Sequence, residues 1–184
     1  MDNRSGRYVL QCDNPFWQFS LAVYARPGVA AECLGLQTAL DIDVNVLLFV
    51  AWIGAAKGVI LDDQSIDTIE ARACGWNDSV VRRLRTVRQS MKLLPEIANQ
   101  PAGDLRKDIA ALELRAEQIE QALLFEAAET ASGSQASDTK AAIHANVMRF
   151  VTRQAGGAVD IPDLSRLIDE AAVYSRREIS DARA

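Results

Sequence analysis

Histidine occurs once in this 184-residue chain and cysteine three times, at Cys12, Cys33 and Cys74. Three scattered thiols form no CxxC or CxH clip for zinc, and their odd number argues against a disulfide framework. His144 has no acid or thiol three or four residues away, so no local nucleophile–base pair surrounds it. Gly156-Gly157 lacks the GxGxxG spacing of a phosphate loop and follows no strand pattern. The most apolar run, residues 44–56, falls short of the roughly 20 residues that span a bilayer, so it reads as a core helix. The first residues, MDNRSGRYVLQCDN, show no apolar stretch of signal-peptide type. Sustained apolar–polar alternation is missing throughout, which excludes a sheet-based fold. The net charge of −5 weighs against nucleic-acid binding. No catalytic, cofactor-binding or metal-binding residue is assigned, and the expectation is a cytoplasmic protein with reduced cysteines and no membrane span.

Hydrophobic residues make up 49% of the chain, enough to build a core. Asn14-Pro15 combines a capping side chain with a proline at the first helical position. Asp43 can cap a helix over 44–57, Asp62 or Asp63 one that Gly75 closes, and Asn77 the next, which reaches Leu94 before Pro95. The acids Asp62, Asp63 and Asp67 read as caps and dipole partners rather than metal ligands. In all, the signals predict a compact all-α bundle of about eight helices. Its organisation reads as a leader over 1–13, a bundle over 14–130, a polar linker (ASGSQASD) over 131–138, two C-terminal helices within 139–176 and a tail over 177–184.

The strongest internal pattern is an antiparallel helical hairpin, about 78–94 and 104–130. Val80, Leu84, Val87, Met91 and Leu94 recur at spacings of 4 and 3, as do Leu105, Ile109, Leu112, Ala116, Ile119 and Leu123. Folding back near Pro101 sets Leu84 against Ile119 and Met91 against Leu112. The same register sets Arg85 against Glu120, Arg88 against Glu117 and Lys92 against Glu113. The basic stripe VVRRLRTVRQSMK therefore reads as neutralised by its hairpin partner rather than as an open anion site, while Arg82 and Arg83 have no assigned partner.

At residues 14–54 the string contains W-x-F-S-L-x-V-Y-x-x-P-G-V, then C-L-x-L-Q, then D-V-N-V-L-L-F-x-x-W. These motifs, with Trp76, Arg85, Arg88, Lys92 and the E-L-x-A-E stretch at Glu113–Glu117, resemble a family of uncharacterised proteobacterial proteins of unknown function. The likeness covers about residues 14–125 and implies a compact helical protein without adding a mechanism. Two positions depart from the family pattern: Thr38 stands where Asp is common, and Asp41 where Gly is common, which implies a different turn at 41.

Two functions are open from the sequence. The first is a non-enzymatic protein that works through a protein partner or self-association, using the hairpin and the C-terminal helices. The second is a small-molecule-binding or enzymatic domain whose aromatic-lined pocket lies near Trp17, Tyr24, Gln37, Asn45 and Trp52, with Arg85 and Arg88 as further contact candidates. Indole and phenol rings supply apolar walls there, and amide groups supply orientation.

Overall fold

The structure is a computed structural model and describes residues 9–156 and 161–181. Parts of the expected leader and tail, and Gly157, lie outside the described residues. The α-helices are α1 (Pro15–Tyr24), α2 (Val29–Leu40), α3 (Val44–Lys57), α4 (Asp63–Trp76), α5 (Arg82–Ser90), α6 (Gln100–Ala127), α7 (Thr139–Ala155) and α8 (Ser165–Asp181). The architecture is all-α, with one pair of three-residue strands, β1 (Val59–Leu61) and β2 (Gly133–Gln135).

Helix α3 is the axis of the bundle. Every residue from Asn45 to Ala55 is buried, as an uninterrupted apolar sequence requires when neighbours surround it on all sides. Asp43 starts it by accepting from the Asn45 and Val46 backbone N–H groups. Around it lie α1, α6, α7 and α8. The approach of α7 is the closest, because a Cβ on Gly54 would stand 2.6 Å from the Ile143 backbone nitrogen. Asn146, fully buried on α7, locks that contact. It accepts from Leu61 N–H at 2.8 Å and donates to the Val59 and Val50 carbonyls at 2.9 and 3.2 Å.

The strands were not legible in the sequence, since three residues cannot display a period. Leu61 pairs with Gly133 and Val59 with Gln135, so part of the segment read as linker is paired to the bundle. Glycine is required at 133, where a Cβ would fall 1.9 Å from the Ile60 carbonyl oxygen. Asp62 caps α4 through Ser65 N–H and also accepts from the Ser132 hydroxyl, which ties this segment to α4.

Gly75 and Asn77 do not separate two helices. The chain runs from α4 through a π-turn, Asn77–Val81, directly into α5. The wider turn leaves Asn77 buried with its amide on Glu120 rather than on a helix end. Asp41, at the end of α2, holds φ 53 and ψ 29. That is the left-handed geometry glycine favours, and the Asp41 carboxylate binds Arg82 at 2.8 Å.

Helices α5 and α6 form the antiparallel hairpin in a different register and rotation. Arg85 meets Glu113 and Glu117, and Arg88 meets Glu113, one to two turns away from the expected pairings. Glu120 faces Asn45 and Asn77 instead of Arg85. Lys92 is exposed and makes no ion pair among the described residues. The inward face of α6 at this level is acidic, with Glu113 and Glu120 buried, whereas Leu105 and Leu112 of the expected seam are half exposed. Planar guanidinium groups need carboxylate partners when partly desolvated, and that requirement outweighs the leucine stripe.

Candidate functional site

Helices α1, α2, α5 and α6 and the first turn of α3 enclose a cleft of about 540 Å³. Its apolar lining includes Trp17, Leu21, Tyr24, Leu34, Val44 and Leu48. Trp17, Tyr24, Gln37, Asn45, Arg85 and Arg88 all border it. Trp52 does not. It is buried in the core behind, against the rings of Phe16, Phe49 and Phe125 at centroid distances of 5.6–5.7 Å. It lies about two turns beyond Asn45 along the same face of α3, where Phe16 of α1 and Phe125 of α6 cover it, and spacing along one helix could not reveal where the cleft ends.

A hydrogen-bonded chain runs from the cleft floor, at Gln121 and Asn45, into the core, at Glu120 and Asn77. Asn77 Nδ2 donates to Glu120 at 3.0 Å, Asn45 Nδ2 donates to Glu120 at 2.8 Å, and Gln121 Nε2 donates to Asn45 Oδ1 at 2.8 Å. Asn45 thus bonds across the bundle with its side chain, while its backbone N–H uses the Asp43 cap. Burial pushes the Glu120 carboxyl up to about 9, helped by the negative charge of Asp43 and a side-chain hydrogen bond to it. Glu120 therefore keeps its proton at neutral pH.

The wall formed by α5 and α6 is ionic. Arg85 donates through Nε to Glu113 at 3.0 Å and through Nη2 to Glu117 at 2.6 Å. Arg88 grips Glu113 with Nε and Nη2. Burial acts to raise Glu113, but the hydrogen bonds and charges of Arg88 and Arg85 outweigh it and hold the carboxyl below its ordinary value. Glu117 moves the other way, raised by burial against the opposing pull of Arg85. Tyr24 is also raised by burial.

Two residues on the cleft lining each hold a buried polar atom with no partner in the protein, Ser20 Oγ and Gln121 Oε1, and both residues are at least 96% buried. Thr38, Thr68, Thr86 and Ser90 each donate to the carbonyl one turn back in their helices. Ser20 does not. A buried hydroxyl or amide oxygen left unpaired costs about 1–3 kcal/mol, so such atoms mark a place where a ligand group can be satisfied. Sequence reasoning missed Ser20, Glu120 and Gln121. The available signal was two polar residues inside the otherwise apolar stretch IEQALLF, which a seam-based reading left facing the partner helix.

Among the described residues, no cluster of three or more His, Cys, Asp or Glu side chains is placed to hold a metal ion. The three cysteines are free thiols, with Cys33 buried and its thiol pushed up to about 12 by burial. His144 is exposed on α7. No described helix is long and apolar enough to cross a membrane.

Residues 15–124 match a family described as a protein of unknown function, DUF2390. The match spans more than half of the chain, and the chain belongs to that family. Every residue that borders the cleft falls inside the matched segment, whereas α7 and α8 lie beyond it. No curated protein and no solved structure matches the chain.

Proposed function

We propose that this DUF2390 protein binds a small amphipathic molecule in the cleft between α1, α2, α5 and α6. The observation that carries the reading is a pair of unpartnered buried atoms, Ser20 Oγ and Gln121 Oε1, in two residues that line a cavity of about 540 Å³. That volume lies within the roughly 300–1,000 Å³ usual for small-molecule sites, and apolar walls with a few convergent polar groups are their common chemistry. The π-turn at Asn77–Val81 supports it, because such turns recur at functional sites and this one aims Asn77 at the floor.

The uncharged fluorophore N-phenylnaphthylamine tests the reading. Titrated into the full chain, it should bind saturably with one site per chain and quench tryptophan emission through Trp17. Ala110→Trp, at an exposed position on the rim, should abolish binding without loss of helicity. Non-saturable binding, or binding indifferent to Ala110→Trp, refutes the site.

A second reading, contact with a protein partner or a second copy of the chain, is favoured by the outer surface of the hairpin. Val87, Leu94, Leu105 and Leu112 are each about half exposed; Val87 lies on α5, Leu94 follows its end, and Leu105 and Leu112 lie one heptad apart on α6. Light scattering decides: a dimer that Leu105→Glu/Leu112→Glu converts to monomer supports it, and a monomer at all concentrations refutes self-association.

A further inference from the structure

The floor amides have one consistent orientation. Glu120 accepts from Asn45 Nδ2, so Asn45 Oδ1 points the other way and takes Gln121 Nε2. Reversing Gln121 would set two carbonyl oxygens 2.8 Å apart. The unpartnered atom that Gln121 presents is therefore an acceptor, Oε1. Ser20 Oγ beside the same cleft can accept as well as donate.

The cationic donors nearby are partly engaged. Arg85 and Arg88 spend their Nε and Nη2 groups on Glu113 and Glu117. An anionic ligand would find only the Nη1 groups of Arg85 and Arg88 without a protein partner, and it would sit beside the Glu113 carboxylate, which is only 5% exposed. Three carboxyl-bearing residues, Asp43, Glu113 and Glu117, border the cleft against two guanidinium groups, so the lining leans negative. Trp17 and Tyr24 add two aromatic rings to it.

We infer that the cleft, taken as the ligand site proposed above, receives an organic ammonium, an N–H-bearing cation carried on an apolar body. The N–H groups meet Gln121 Oε1 and Ser20 Oγ, Glu117 supplies counter-charge through its second oxygen, and the rings of Trp17 and Tyr24 face the cation or its apolar body. A neutral alcohol of the same shape satisfies one acceptor without the charge term, and a carboxylate meets acceptors where it needs donors.

Phenylbutylamine, phenylbutanol and phenylbutyrate share one body and differ in the head group, so calorimetric titration of the full chain at neutral pH separates the cases. The amine should bind about tenfold more tightly than the alcohol, with the carboxylate weakest. Glu117→Gln should remove most of the amine's advantage and leave the alcohol unchanged; Arg85 keeps Glu113 in that variant, so the fold is retained. Ser20→Ala, which deletes a hydroxyl with no protein partner, should weaken the amine at least severalfold. An alcohol or carboxylate that binds as tightly as the amine, or an amine indifferent to Glu117→Gln, overturns the ammonium assignment and leaves the cleft standing as a ligand site. Failure of all three probes to bind overturns the assignment and the ligand-binding reading together.

Discussion

Glu120→Gln is the most informative substitution in this protein, because Glu120 joins the floor of the cleft to the core. The side chain is wholly buried, accepts from two asparagine amides and hydrogen-bonds to Asp43. Its carboxyl is raised from the ordinary value of 4.5 to about 9 by burial and by the charge of Asp43. Between those limits the folded chain holds a proton that the unfolded chain releases. The stability it contributes is therefore complete below pH 4.5 and drains away as pH rises toward 9. The slope is about 1.4 kcal/mol per pH unit, which reaches on the order of 3 kcal/mol by pH 7. Glutamine has the shape of the protonated acid, can donate to Asp43 and accept from the asparagines, and does not titrate. In urea unfolding followed by circular dichroism, the variant should match the wild type near pH 5 and exceed it by a margin that grows with pH. Other titrating groups are common to both proteins and cancel in the difference. A difference that stays constant from pH 5 to 8, or shrinks as pH rises, refutes a neutral Glu120.

Removing both arginines, Arg85→Ala/Arg88→Ala, leaves Glu113 buried without a counter-charge. With both guanidinium groups about one-fifth exposed, the loss should be about 3 kcal/mol at neutral pH, the low end for a stranded buried carboxylate. In the wild type these bonds hold the Glu113 carboxyl low, so their contribution exists above its unfolded value and is lost in acid. The gap between variant and wild type in chemical denaturation should therefore narrow as pH falls toward 4. Asn146→Leu strands the Leu61 N–H and the Val59 carbonyl, and melting should report a loss of about 2–4 kcal/mol; a neutral effect would mean the amide is not the lock between α7 and β1. Gly54→Ala gains helix propensity of about 1 kcal/mol but drives a methyl group into the α7 backbone. Overpacking should win, with a net loss of about 1–2 kcal/mol in urea unfolding, and a stabilised variant would show that α3 and α7 can separate.

Local signals carried most of the helix positions. The caps at Asn14, Asp43 and Asp62 act where the sequence puts them, because a capping side chain bonds to backbone only two or three residues away. The axial position of α3 followed from its unbroken apolar run. The hairpin direction was also legible, since a short connection between two long helices leaves few alternatives. What the sequence could not supply was rotation. The leucine spacing of α6 is compatible with several facings, and the choice among them rests on groups far away in the chain: Asn45, Asn77, Arg85 and Arg88 each need an α6 carboxylate.

The same division applies to the cleft. The sequence by itself determined an all-α bundle, its caps, and the set of aromatic and amide residues on α1, α2 and α3, because these depend on composition and on neighbours within a few residues. Only the tertiary structure decided that Trp52 turns into the core, that Arg85 and Arg88 converge on Glu113, and that Ser20 and Gln121 border one cavity with unpaired oxygens. Those outcomes depend on burial and on partners dozens of residues apart, and desolvation, the force that selects among them, acts only once the helices have come together.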